Sequence, residues 1–171
     1  MKKILKFLSI LLTASLIFTI SSCGNDFKYT MKGYTTGALS YSVPDHFESS
    51  YHEQAHAYYA TLNSSVMVYS YTHRELRAAF PDYDGDCSAY DFAGYLVEYN
   101  SYNCTVNLGS IENSAVYSFF SSDEYGSYYS SSIVLNDSEN VCILMFSCIS
   151  EKLETYQDMI LEILTSPRIN K

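Results

Sequence analysis

The first 23 residues constrain the fold most, because they separate a targeting segment from the part of the chain that must form a core. Three lysines within the first six residues precede an apolar run over residues 7–20, and Ser21 and Ser22 stand directly before Cys23. This order of a basic start, an apolar stretch and small residues is typical of a cleaved secretory signal. We therefore expect the folded domain to lie after this segment.

The alternative for the apolar run is a membrane-spanning helix. Hydroxyl side chains interrupt residues 7–20 at Ser9, Thr13, Ser15 and Thr19. The run is also too short to span about 30 Å of hydrocarbon comfortably. After Cys23 the longest apolar run covers residues 141–146, which is typical of a buried strand. The sequence therefore favours a signal segment and predicts no later membrane span.

Residues 20–23, Ile-Ser-Ser-Cys, resemble the lipobox of bacterial lipoproteins. The resemblance implies that residues 1–22 are a signal peptide and that Cys23 carries acyl chains. Such lipid chains can anchor a protein without any membrane-spanning segment. It also implies a place in the cell envelope, outside the cytoplasm and attached to a bacterial membrane. We expect residues 23–36 to form the lipidated N-terminus and a tether, and residues 37–171 to form a single domain.

The charge of the chain limits its partners. The formal net charge is −9, and the part after Cys23 combines seven basic with 19 acidic residues, which gives −12. A strongly acidic surface disfavours nucleic acid, whose phosphates bind basic side chains. It also disfavours electrostatic binding to anionic lipid, so we expect the acyl group to be the membrane contact.

The order of apolar patterns predicts an α+β domain. Alternating residues predict early strands, and Thr72 with Glu75 and Ser88 with Asp91 form capping boxes that predict two helices. A third helix is expected from Ser150 as its N-cap. The predicted strands cover residues 38–43, 57–62, 66–71, 104–108, 115–120, 128–135 and 141–149. Short turns between them indicate antiparallel pairing. We expect an antiparallel sheet of about six strands packed with two or three helices.

Each helix is expected to bury one stripe of apolar side chains. The predicted stripe of the second helix consists of Phe92, Tyr95, Leu96 and Tyr99. The predicted stripe of the last helix consists of Leu153, Tyr156, Ile160, Ile163 and Leu164.

This order of elements resembles the PsbP-like and DcrB-like α/β sandwich proteins. The resemblance lies in an early strand ending in "SYSVPDHF" at residues 40–47, a tyrosine-rich hairpin, a mid-chain helix, a meander and a last helix ending near "ILTSPRI" at residues 163–169. It implies a sandwich fold and a non-catalytic accessory or binding role. No functional residue follows from it, because those proteins share no site motif.

One motif offers an enzymatic alternative. Residues 52–56 read HEQAH, and on a helix His52 and His56 could share a zinc ion with Glu53 as general base and Glu75 as a third ligand. On a strand the two imidazoles would lie about 13 Å apart, too far to share a metal. Fewer than 30 residues lie between Cys23 and His52, too few for the sheet that normally supports such a helix. Glu75 also already has a capping role. We therefore favour surface histidines at the start of a strand and expect no cofactor.

An acidic loop offers a second metal alternative. Asp82, Asp84 and Asp86 alternate along it, and carboxylates are ligands that calcium prefers. The spacing is not that of an EF-hand, because Gly85 falls too early and Ala93 stands where a bidentate glutamate is needed. We favour a solvated acidic turn.

Four cysteines follow Cys23, namely Cys87, Cys104, Cys142 and Cys148. Cys142 and Cys148 lie on one predicted strand about 20 Å apart, so they cannot bond to each other. Two alternatives remain open: Cys87 and Cys104 each pair with one of them, or all four are free thiols.

Tyrosine is unusually frequent, with 18 residues and no tryptophan in the chain. Tyrosine suits a half-buried sheet surface, but it also forms recognition surfaces. We expect Tyr125, Tyr128 and Tyr129, close to a predicted turn, to be candidates for binding an envelope protein or a glycan.

The sequence therefore favours a lipid-anchored extracytoplasmic binding or accessory domain without catalytic residues. The alternative is a small membrane-anchored zinc metallopeptidase that uses the HEQAH motif.

Overall fold

The computed structural model describes residues 28–80, 83 and 85–170, and these form ten β-strands and three α-helices. The strands are β1 (Met31–Thr36), β2 (Leu39–Pro44), β3 (Glu48–Ser50), β4 (Ala57–Ala60), β5 (Ser64–Thr72), β6 (Asn107–Leu108), β7 (Ser114–Asp123), β8 (Gly126–Asn136), β9 (Asn140–Ile149) and β10 (Arg168–Ile169). The helices are α1 (His73–Ala79), α2 (Ala89–Tyr99) and α3 (Leu153–Thr165). The predicted α+β class is confirmed.

The strands form two antiparallel sheets. The large sheet has seven strands in the order β3-β4-β5-β9-β8-β7-β6, and the small sheet has three in the order β1-β2-β10. At the centre of the large sheet, β9 pairs with β5 from Ser64↔Cys148 to Thr72↔Asn140 and with β8 on its other side. The large sheet therefore exposes two faces that other elements must cover.

The small sheet and α3 cover one face, which we call the closed face. Leu39, Tyr41 and Val43 alternate along β2 and point into its core, as the sequence predicts. Helix α3 adds buried residues Tyr156, Met159, Ile160 and Ile163. The predicted stripe of α3 thus holds for Tyr156, Ile160 and Ile163, while Leu153 and Leu164 are only partly buried.

Helices α1 and α2 cover part of the opposite face, which we call the open face. Leu76 of α1 and Phe92 and Leu96 of α2 pack against residues of β7, β8 and β9. A separate cluster on β5 and β9, built on Met67, Tyr69 and Met145, extends beyond this helical cover. The open face is therefore only partly enclosed.

Both predicted capping boxes are present. Thr72 caps α1 and Ser88 caps α2, and in each the third helical residue, Glu75 or Asp91, bonds back to the cap. The expected cap at Ser150 is wrong: Ser150–Lys152 form a 3-10 turn, and α3 begins at Leu153 without a side-chain cap. Burial holds α3 in place instead.

Two predicted boundaries also change. Residues 31–36, assigned to the tether from the sequence, form β1 and pair with β2 from Met31↔Pro44 to Thr36↔Leu39. The ordered domain therefore begins before residue 37. The strand predicted over residues 104–108 shortens to Asn107–Leu108, which pairs with the edge of β7. Across residues 28–80, 83 and 85–170 no helix has both the length and the hydrophobicity to cross a membrane.

Candidate ligand-binding site

The open face contains a pocket of about 340 Å³ between helices α1 and α2 and the strands beneath them. Its lining is mostly aromatic and aliphatic, with one carboxylate and one amide. The lining residues are Tyr69, Tyr71, Glu75, Leu76, Ala79, Phe80, Phe92, Tyr95, Leu96, Asn100, Tyr102, Tyr117, Ile143 and Met145. A preformed apolar cavity of this size is typical of small-molecule sites.

The strands supply the floor of the pocket. Side chains alternate between the two faces of a strand, so Met67, Tyr69 and Tyr71 of β5 point to the open face while Val66 and Val68 enter the closed-face core. Strand β5 is thus apolar on both faces. This pattern predicts cover on both sides, and α1 and α2 provide only part of it on the open face.

The helices supply the wall. Phe80 follows the end of α1, and its ring meets Tyr95 of α2 edge-on, with centroids 6.1 Å apart. Tyr95 also stacks near Phe92 at 6.3 Å. Tyr95 belongs to the stripe that the sequence predicts to be buried, but this residue is 39% exposed because the space beside it is the pocket. Such offset and edge-on pairs are favourable arrangements of aromatic rings.

The inner tyrosines remain neutral at physiological pH. Burial raises the pKa of Tyr69 and of Tyr102, and it raises the pKa of Tyr117 to about 12. Tyr102 also stacks on Phe119 with centroids 3.8 Å apart, which fixes its ring at one side of the pocket. The floor therefore presents uncharged aromatic surface with a few hydroxyl groups.

Glu75 supplies the charge at the mouth. Its Oε2 accepts hydrogen bonds from the Thr72 amide at 2.7 Å and from the Thr72 hydroxyl at 2.9 Å. These bonds lower the pKa of Glu75 below its usual value, so the exposed side chain is ionised at neutral pH. Within the part of the chain that the structure describes, the lining contains no lysine or arginine. The pocket therefore combines a neutral aromatic interior with one fixed negative charge.

The three tyrosines predicted as a recognition surface are not presented together. Tyr125 lies at the tip of the β7–β8 hairpin and is 60% exposed, but Tyr128 is buried. Tyr129 points to the other face of β8, and the centroid of its ring lies 5.2 Å from that of Phe120. Neighbouring residues of a strand face opposite ways, so Tyr128 and Tyr129 cannot share one surface. Of the three, Tyr125 alone is largely exposed.

The HEQAH motif does not form a helix. Glu53 and Gln54 lie in a turn, and His56 leads directly into β4. The His52 Nδ1 accepts a hydrogen bond from the Gln54 amide at 3.3 Å, and the His56 Nδ1 accepts one from the Ser70 amide at 3.1 Å. The one-turn spacing on which a shared zinc depends is therefore not formed.

The remaining predicted site residues are dispersed or lie outside the described residues. Cys23, Asp82 and Asp84 are outside them, and Asp86 is exposed. Among the residues that the structure describes, no group of three or more histidine, cysteine, aspartate or glutamate side chains is arranged to hold a metal ion.

No disulfide bond joins any two of the four later cysteines, all of which lie among the described residues. Cys142 and Cys148 lie in the closed-face core, whereas Cys87 and Cys104 pack with the open-face cluster. The large sheet separates the two pairs, so the alternative in which Cys87 and Cys104 each bond to one of the others is wrong.

Comparison with known proteins shows the fold. No protein-family model matches the sequence, and no curated protein matches it. The solution structure of PsbP from the cyanobacterium Synechocystis sp. PCC 6803 aligns with 88% of this chain and 98% of that chain, with a TM-score of 0.55 and 9% identity. A crystal structure from Bacteroides thetaiotaomicron VPI-5482 aligns with 82% of this chain and 48% of that chain, with a TM-score of 0.51 and 10% identity. The chain thus has an α+β fold similar to that of PsbP.

Proposed function

We propose that this chain is a lipid-anchored extracytoplasmic binding domain, without catalytic residues, that takes the apolar part of a small ligand into the open-face pocket. The observation that carries the proposal is the aromatic cavity of about 340 Å³ between α1, α2 and strands β5 and β9. Apolar cavities with a few well-placed polar groups are the usual form of ligand sites.

The walls of the pocket are preorganised. Helices α1 and α2 begin at complete capping boxes, and ring contacts join Phe80 at the end of α1 to Tyr95 and Tyr99 of α2. A ligand that enters would therefore order few side chains, which lowers the entropic cost of binding. It would also remove apolar surface from water at about 25 cal/mol per Å².

Lipid attachment at Cys23 would hold this pocket close to a membrane. Strand β1 begins at Met31, eight residues after Cys23. Even a fully extended segment of that length reaches only about 28 Å, at ~3.5 Å per residue. The membrane is thus the first proposed partner, and the pocket ligand would be a molecule of the envelope or of its surroundings.

A matched pair of substitutions on α1 tests the pocket. Ala79 lines the pocket, whereas Ala78 is exposed on the same helix. We expect the uncharged naphthalene dye prodan to bind the purified full chain with saturable, one-to-one fluorescence enhancement. The chain would be held in phosphatidylglycerol nanodiscs, with empty nanodiscs as the blank. Ala79→Trp should abolish the enhancement by filling the cavity, and Ala78→Trp should preserve it.

Two results would contradict the proposal. One is dye binding that persists in Ala79→Trp with unchanged affinity, which would place the dye elsewhere. The other is the absence of any saturable binding to the unmodified chain above the blank. Both variants should show cooperative unfolding, because alanine to tryptophan at these helical positions removes neither capping box.

A further inference from the structure

We infer that the open-face pocket selects a ligand that carries a positively charged organic group, held between the Glu75 carboxylate and the surrounding aromatic rings. The inference rests on the proposed function and specifies the class of ligand. A trimethylammonium group or a protonated amine on an apolar body fits this description.

The charge of Glu75 is held in a fixed position. Glu75 serves as the third residue of the α1 capping box, and two hydrogen bonds from Thr72 hold its Oε2. A surface glutamate normally samples many rotamers, and ordering it costs free energy on binding. Here the cap has already ordered the side chain at the mouth, so a ligand cation meets a preorganised carboxylate.

An aromatic surface lies beside that charge. Tyr71 and Phe80 line the pocket with Glu75, and Tyr95 completes the wall from α2. The face of an aromatic ring attracts a cation within about 6 Å of its centroid. A group that passes Glu75 thus meets ring faces that prefer positive over negative charge.

The charge balance around the pocket favours a cation. No lysine or arginine is among the described residues that line the pocket, and the formal net charge of the chain is −9. His56 lies close by, with its ring 4.8 Å from that of Tyr71. Its Nδ1 accepts a hydrogen bond from the Ser70 amide, and its Coulombic contribution to the lowered pKa of Glu75 is smaller than that of the hydrogen bonds from Thr72. An anionic ligand would therefore be disfavoured and a cation favoured.

The capping boxes allow a clean test. Glutamine also completes a capping box, so Glu75→Gln removes the charge while it preserves the helix start. Asp91→Asn is the matched control, because Asp91 holds the same position in the capping box of α2 but does not line the pocket. Both variants lower the negative charge of the chain equally.

Two probes of equal shape separate charge from hydrophobicity. Phenyltrimethylammonium is a cation, and tert-butylbenzene is its uncharged carbon isostere. Their binding to the full chain in phosphatidylglycerol nanodiscs would be measured by titration calorimetry, with empty nanodiscs as the blank. We expect the cation to bind about 3- to 30-fold more tightly than the isostere, the range that cation–π attraction supplies.

The variants decide the outcome. Glu75→Gln should lower the affinity for the cation severalfold and leave that for the isostere unchanged, while Asp91→Asn should change neither. Equal affinities for both probes, insensitive to Glu75→Gln, would overturn the inference but leave an apolar pocket as proposed. If Asp91→Asn weakened binding of the cation as much as Glu75→Gln did, the effect would come from the overall charge of the chain, and the inference would fail. If neither probe bound to the unmodified chain, both proposals would be overturned.

Discussion

The two faces of the seven-stranded sheet are formed by the same strands but are covered by different elements and to different extents. On the closed face, Leu39 of β2, Phe146 of β9 and Ile163 of α3 are fully buried and pack into one core. On the open face, α1 and α2 cover β7 and β8 but leave Tyr69, Tyr71 and Met145 beside a cavity. The difference lies in the covering elements, since both faces of β5 and β9 are apolar.

This contrast suggests a division of roles. Close packing gives the closed face its stability, because each buried side chain gains dispersion contacts and loses contact with water. The open face keeps apolar surface around its pocket that no other element of the described domain covers, and a ligand can cover it. The stability of the domain should therefore depend far more on the closed face, and ligand binding on the open face.

The largest expected effect is the loss of a closed-face ring. Phe146 is fully buried on β9 and meets Tyr156 of α3 edge-on at 6.1 Å. Phe146→Ala should lower the free energy of unfolding by about 3–5 kcal/mol, because it leaves a cavity in a packed core. Tyr95→Ala beside the pocket should cost only about 1 kcal/mol, since its ring is already partly exposed. Urea denaturation would measure both, and equal losses would break the contrast.

The second prediction concerns alkaline pH. Burial raises the pKa of Tyr117 from 10.0 to about 12, so the unfolded chain loses this proton first as pH rises. The stabilising effect of the neutral hydroxyl is fully present below pH 10 and is lost between pH 10 and about 12. At about 1.4 kcal/mol per pKa unit, the loss from this residue approaches about 3 kcal/mol.

Tyr117→Phe should therefore flatten the fall in stability above pH 10. The control is Tyr125→Phe, which changes an exposed hairpin residue. Denaturant midpoints measured across this pH range would report the slopes. A Tyr117→Phe curve as steep as that of the unmodified chain would show that the hydroxyl is hydrated in the folded state.

Local sequence signals explain why much of the fold is predictable. The alternation of Leu39, Tyr41 and Val43 identifies a strand with one buried face, and the structure places all three in the closed-face core. The capping boxes at Thr72 and Ser88 depend on residues three positions apart, so they can be read directly from the sequence. Both kinds of signal need only neighbouring residues.

The pocket depends on contacts that neighbouring residues do not encode. Alternation predicts that Tyr69 and Tyr71 share a face of β5, but not that α1 and α2 leave that face partly open. In the same way, the HEQAH letters do not specify a helix, because the pairing of β4 with β5 extends the chain after His56. The excess of tyrosine is the sequence signal for the site, but the tyrosines nearest a predicted turn point to the hairpin tip instead.

The third prediction compares how helices on the two faces begin. Thr72 accepts a hydrogen bond from the Glu75 amide at 3.2 Å, so Thr72→Ala should cost about 1 kcal/mol of stability. Ser150 provides no cap for α3, which relies on the burial of residues such as Ile163. Ser150→Ala should therefore stay within about 0.5 kcal/mol of the unmodified chain. A larger loss at Ser150 than at Thr72 in urea denaturation would contradict this distinction.

The smallest expected effect lies at the hairpin tip, where neither face has cover. Tyr125 is 60% exposed. Its backbone amide donates a hydrogen bond to the Asp123 carboxylate at 2.8 Å, and any residue except proline would keep this bond. Tyr125→Ser should therefore change the free energy of unfolding by less than about 0.5 kcal/mol. Tyr128→Ser, three positions on, should cost several times more because that ring is buried.

This pair also tests the tip as a recognition surface separate from the pocket. If Tyr125 contacts a glycan or an envelope protein, Tyr125→Ser should lower capture of that partner by the full chain while prodan binding in the pocket stays unchanged. Unchanged capture would leave the open-face pocket as the binding region of the domain. A loss of stability in Tyr125→Ser as large as that in Tyr128→Ser would show that the exposed ring packs against the domain in solution.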